Sequence, residues 1–162
     1  MSQHPASKHQ NGFSYIGLLI MIMVIGAISA ATLTAGSAMQ RRATEEELLF
    51  IGGQFESALK AYYDASPNGI RPYPQQLSDL LKDPRFPVPR RHLRKIYADP
   101  LTGSVEWGTI NAPAGGILGI YSRSTETPIR ASGFDNNFAR FEGAKTYSEW
   151  VFSGKPPQVL PH

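Results

Sequence analysis

"QRRATEEELLFIGGQFESALKAYYDAS", Gln40–Ser66, decides how the rest of the chain is read. Leu48, Ile51, Phe55, Ala58, Leu59 and Tyr62 recur at i, i+3/i+4 and i+7, which places them on one stripe of an amphipathic helix. The Glu45-Glu46-Glu47 run reads as a solvated face paired with Arg41 and Arg42 at i+4 spacing. Gly52-Gly53 is the weakest point and a candidate bend, costing about 1 kcal/mol per Gly relative to Ala.

Towards the N-terminus lies "NGFSYIGLLIMIMVIGAISAA", Asn11–Ala31. No charged residue occurs from Phe13 to Gln40, and a bilayer core needs roughly 20 helical residues. The apolar residues surround the helix rather than forming a stripe, as for a segment with lipid or other helices on every side. Three readings fit: a cleaved secretory signal, an uncleaved signal anchor, or a short basic leader cut off ahead of the apolar run. Lys8 favours an inside N-terminus, whereas Arg41 and Arg42 pull against it. No Pro separates this run from the amphipathic stretch, which predicts one long helix from about Ser14 to about Tyr63.

Towards the C-terminus the 13 prolines and 15 glycines gather mostly after Ser66, giving a turn-rich half. Pro74 suits a first helical position, and Leu77, Leu80 and Leu81 predict a short helix from about Gln75 to Lys82. Pro84, Pro87 and Pro89 forbid regular structure next. Asp99-Pro100-Leu101-Thr102-Gly103 reads as a turn. Val105, Trp107 and Thr109 then alternate as a strand, Ile117–Ser122 gives a second and Thr146–Gly154 a third, anchored by Tyr147 and Trp150. The expected fold class is α+β, a long N-terminal helix packed on a small antiparallel sheet.

The chain of 162 residues has net charge +3 and no cysteine, which excludes disulfides, thiolate metal sites and a Cys nucleophile. So small an excess of positive charge is a poor argument for nucleic acid. No HExxH, GxSxG, Walker A or GxGxxG occurs, His92 stands alone, and no catalytic constellation emerges; an enzyme is not expected. "RRHLRK" supplies the one basic cluster. Its Arg90, Arg91, Arg94 and Lys95 are candidate contacts for an acidic partner, a lipid surface or nucleic acid, against the plainer reading of a solvated connector. Phe134, Phe138, Phe141, Tyr147, Trp150 and Phe152 read first as core.

"GFSYIGLLIMIMVIGAISA", behind a polar leader with Lys8, resembles the N-terminal signature of type IV pilin-like proteins. Tyr73-Pro74 through Leu77, and Asp99-Pro100 through Gly103, are similar to the globular domain of type II secretion pseudopilins, most of all the major one. The resemblance implies a leader at 1–12, cleavage by a prepilin peptidase between Gly12 and Phe13, and N-methylation of Phe13. It further implies a transmembrane and filament-core helix at 13–40, its amphipathic half at 41–65, and a periplasmic domain at 66–162. The implied location is the bacterial inner membrane, as a single-pass protein. The implied partners are other pseudopilin subunits in a helical filament, the inner-membrane assembly platform, and membrane lipid before assembly; nucleic acid is not expected.

Two positions depart from that pattern. The fifth mature position, usually Glu, is Gly17 here, as in a minor tip subunit. Major pseudopilins bind calcium through a loop near the C-terminus; here Asp135 and Asn137 are weak candidates without clear ligand spacing, and no cofactor is otherwise expected. The implied function is a structural subunit supporting protein export. The alternatives are a minor pilin of a type IV pilus or DNA-uptake system, and a membrane-anchored periplasmic binding module.

Overall fold

The computed structural model describes residues 11–66 and 72–154, with side chains from 15 to 25 and from 39 onward within those ranges. The described chain divides into two compact units with the boundary between Gln40 and Arg41. The first helix, α1, is assigned over Asn11–Asp64. In the first unit every side chain from 15 to 25 is exposed, Met23 at 77% and Ile22 at 59% among them. Among the described residues no helix is long and apolar enough to cross a membrane. The predicted leader and much of the 13–40 segment lie outside the described residues or side chains.

The second unit is α+β. Strands β1 (Gly108–Asn111), β2 (Ile117–Tyr121) and β3 (Phe152–Ser153) form an antiparallel sheet in the order β1-β2-β3. The β1/β2 ladder shifts register between Ile110 and Asn111, and β3 sets Phe152 opposite Ile120. Leu48, Ile51, Phe55, Ala58, Leu59 and Tyr62 are all buried and join Trp107, Ile117, Ile120 and Phe152 in one core. The stripe read from the sequence is thus the spine on which the sheet packs.

Gly52 corrects the reading of a bend. α1 runs through both glycines, and a Cβ at Gly52 would run into the buried Phe152 ring. The missing side chain makes room for an aromatic ring against the helix backbone. Gly52 is a packing notch.

The other elements are shorter than predicted. The helix expected at Gln75–Lys82 is a 3-10 turn at Leu77–Leu80, at whose start the Asp79 carboxylate turns back to accept the amides of Gln75 and Gln76 at 3.0 and 3.2 Å. The strand expected from Val105 begins at Gly108. Val105 is 59% exposed and Thr109 is exposed, while Trp107 is held inward by its Nε1–H to the Tyr97 carbonyl at 2.9 Å. The third strand expected over Thr146–Gly154 opens as a 3-10 turn at Tyr147–Glu149, with the Glu149 carboxylate accepting the Lys145 amide at 3.0 Å. Tyr147 and Trp150 anchor it all the same, Trp150 stacking on Phe141 with centroids 5.4 Å apart.

The Asp99–Gly103 turn forms as expected. Gly103 takes φ +71° and donates its amide to the Asp99 carbonyl at 2.7 Å, a conformation that L side chains rarely adopt. The Asp99 carboxylate is buried, accepting the Leu101 amide at 2.9 Å and the Ser122 hydroxyl at 2.7 Å, so the turn is bolted to the end of β2.

Candidate interaction surfaces

The basic cluster stands on a buried ionic network. Asp83 is 1% exposed and accepts from Arg85 Nε at 2.8 Å, Arg85 NH2 at 2.6 Å, the Arg85 amide at 3.0 Å and His92 Nε2 at 3.0 Å. Burial alone would raise its pKa, but the donors of Arg85 and His92 outweigh that and lower it from 3.8 to about 2. With the carboxylate ionised, His92 carries its proton on Nε2. Arg85 also donates to the Tyr62 carbonyl at 2.7 Å, one of the last carbonyls of α1, and lies 3.7 Å over the Tyr62 ring.

Backbone bonds complete the frame. Asp83 N–H bonds to the Arg90 carbonyl at 2.9 Å, and the amides of His92 and Leu93 bond to the Leu80 carbonyl at 2.8 and 2.9 Å. The His92 side chain is 3% exposed and Leu93 enters the core. Arg90 and Arg91 on one side, Arg94 and Lys95 on the other, are therefore turned outward, and all four are exposed. Among the described residues none of the four meets a carboxylate, whereas Arg41, Arg123 and Arg140 pair with Glu126, Glu106 and Glu56. Arg90 lies 5.1 Å over Phe86 and Lys95 5.0 Å over Tyr97, so both ring faces are already occupied by cations of the same chain. Pro87 and Pro89 flank Val88, which is 75% exposed.

A second surface runs along α1. Phe50, 63% exposed, lies with Glu46, Gly53, Asp135 and Phe138 on a groove of about 500 Å³. A cleft of about 300 Å³ adjoins it, lined by Arg42, Glu45, Glu46 and Arg130. Here the solvated Glu45–Glu47 face is corrected at its first residue. Glu45 is 4% exposed, and its Oε1 accepts the Tyr147 hydroxyl at 2.8 Å and the amides of Ile129 and Arg130 at 2.5 and 3.2 Å. Those amides leave water when the loop closes on α1, and the carboxylate supplies the acceptor they need. Arg41 reaches Glu126 instead, at 3.2 Å, while Glu46 and Glu47 are exposed as expected.

Of the other residues singled out in the sequence, Gly12 and Phe13 fall where side chains are not described. At Gly17 an added Cβ would meet nothing within 4 Å. Asp135 and Asn137 are both exposed, and among the described residues no three His, Asp or Glu side chains gather as metal ligands. The Asp83–Arg85–His92 network was missed, since nothing in the spacing of "DPRFPVPRRH" separates its buried members from the exposed ones. Comparison with known protein families, with curated proteins and with solved structures finds no match to this chain.

Proposed function

We propose that this chain is a structural, pilin-like subunit of a type II secretion pseudopilus, assembled through its N-terminal helix to support protein export. One observation carries the reading: the buried stripe of α1 from Leu48 to Tyr62 is the spine of a small α+β unit, while the same sequence stays uncharged from Phe13 to Gln40 behind a Gly-Phe junction. A prepilin peptidase would cut between Gly12 and Phe13 and methylate Phe13. The apolar segment then exchanges contact with inner-membrane lipid for contact with equivalent helices, and the α+β unit stays on the periplasmic side. Close helix approach is helped by the small residues Gly26, Ala27 and Ala30. The role is assembly, without catalysis by this chain.

The test is the intact mass and first residue of the protein recovered from membranes of a host that contains a prepilin peptidase. The expected product begins at Phe13, with or without one methyl group. A chain beginning near Ala30 would indicate an exported soluble protein, and one retaining Met1 a plain anchor; either would sink the proposal.

The cations of Arg90, Arg91, Arg94 and Lys95, which meet no carboxylate among the described residues, favour one second reading, a minor pilin of a DNA-uptake system. Its mark would be duplex DNA binding that weakens steeply with salt.

A further inference from the structure

The two surfaces are complementary to each other. The loop has an apolar tip, Val88 between two prolines, beside the exposed cations Arg90, Arg91, Arg94 and Lys95, which meet no carboxylate among the described residues. The groove has apolar walls, Phe50 and Phe138, and carboxylates at Glu46 and Asp135; Glu47, outside its lining, is exposed one turn before Phe50. Among the described residues none of these three acids is in an ion pair. Arg130 also lines the groove, 5.6 Å over the Phe134 ring. The loop is fastened to α1 at Tyr62, about 18 Å along the helix axis from Phe50 at 1.5 Å per residue.

We propose that the Val88 loop of one copy docks into the Phe50 groove of the next, its basic side against Glu46 and Asp135 on the rim and the neighbouring Glu47. In a filament the contact joins two different surfaces head to tail and repeats from copy to copy. Carboxylates match the three guanidinium forks among the loop's four cations, and the Phe86 and Tyr97 faces, already covered by Arg90 and Lys95, do not offer themselves for stacking on bases. Held by the Asp83 network, the loop is pre-ordered, which lowers the cost of docking. The inference rests on the filament-subunit reading for its repetition, while each contact stands on the surfaces alone.

The absence of cysteine permits a clean test on the full chain in detergent. Val88→Cys and Phe50→Cys single variants are mixed and treated with a mild oxidant. A disulfide dimer between the two variants is expected, whereas Val105→Cys, also exposed but elsewhere, should give none with Phe50→Cys. Arg91→Glu with Arg94→Glu on the Val88→Cys chain should reduce the yield about five- to tenfold. Glu46→Arg with Glu47→Arg on the Phe50→Cys chain should restore it.

No mixed dimer, or Phe50→Cys pairing only with itself, overturns the proposal. So does a charge reversal that the swapped rim fails to rescue but that abolishes duplex DNA binding, which would assign the loop to nucleic acid. The first residue of the same samples separates the two readings. Chains processed to Phe13 that do not cross-link sink the docking alone; chains retaining Met1 that do cross-link sink the pseudopilin reading alone.

Discussion

The Tyr147 hydroxyl donates to Glu45 Oε1 at 2.8 Å, joining residues 102 positions apart in the sequence. The same oxygen holds the amides of Ile129 and Arg130, so a single carboxylate ties α1 both to the 3-10 turn before β3 and to the loop beside the cleft. Tyr147→Phe removes one of three donors and leaves the other two in place. It should destabilise the unit by about 1 kcal/mol. Glu45→Ala strips the acceptor from two backbone amides as well and should cost about 3 kcal/mol. Urea unfolding of the two variants measures the difference, and equal losses would mean that the amide contacts contribute nothing.

The same pair sets an alkaline limit. Burial, followed by the bond to Glu45, raises the Tyr147 pKa from 10.0 to about 12. The folded state therefore holds its proton more tightly than the unfolded one. The associated stability is complete below pH 10 and is lost as pH rises towards 12, by about 2–3 kcal/mol in total. Thermal melts between pH 9 and 12 should show this fall in the wild type and a shallower one in Tyr147→Phe.

Asp83 gives the acid counterpart. Its pKa is lowered from 3.8 to about 2 against the upward push of burial, so its contribution is present above pH 3.8 and is lost as pH falls through 2. Asp83→Asn leaves the Arg85 guanidinium and the His92 ring without their anion and should cost about 3 kcal/mol at neutral pH. The variant should also unfold less steeply with acid between pH 4 and 2. A melting temperature at pH 7 within about 1 °C of wild type would show that solvent replaces the carboxylate, since 1 kcal/mol corresponds to roughly 4 °C in a domain of this size.

The helical stripe was legible because one face of α1 is buried, and a one-sided face imposes a 3.6-residue period on its residues. Glu45 and Gly52 lie just beyond the edge of that stripe, three residues before and four after Leu48, on the side that buried Leu49 widens. A glutamate and a glycine there read as a solvated residue and a bend, and only the tertiary partners Tyr147 and Phe152 show otherwise. The sheet was legible in number and direction, less so in extent, since Trp107 and Tyr147 are fixed by side-chain bonds and ring contacts that alternation does not encode. The basic loop was visible as a cluster, but its support was not. Asp83 finds Arg85 and His92 only after the prolines have turned the chain, and Phe50 becomes a groove wall only once Phe138 arrives from the far end of the sequence.

The two central glycines of α1 separate packing from helix propensity. At Gly53 the nearest atom to an added Cβ is Phe138 Cζ at 3.6 Å, an ordinary contact. Gly53→Ala should therefore stabilise the unit by about 0.5–1 kcal/mol through helix propensity. At Gly52 the Phe152 ring occupies the place of the Cβ. Phe152 is fully buried and paired opposite Ile120, so β3 cannot yield without loosening the sheet. Gly52→Ala should destabilise by about 1–3 kcal/mol despite the same propensity gain. Combining it with Phe152→Leu should cost less than the sum of the two single changes, because the smaller side chain vacates the notch. Denaturant midpoints for the four variants decide the matter: if Gly52→Ala and Gly53→Ala shift together in the stabilising direction, Phe152 does not pack on the helix backbone.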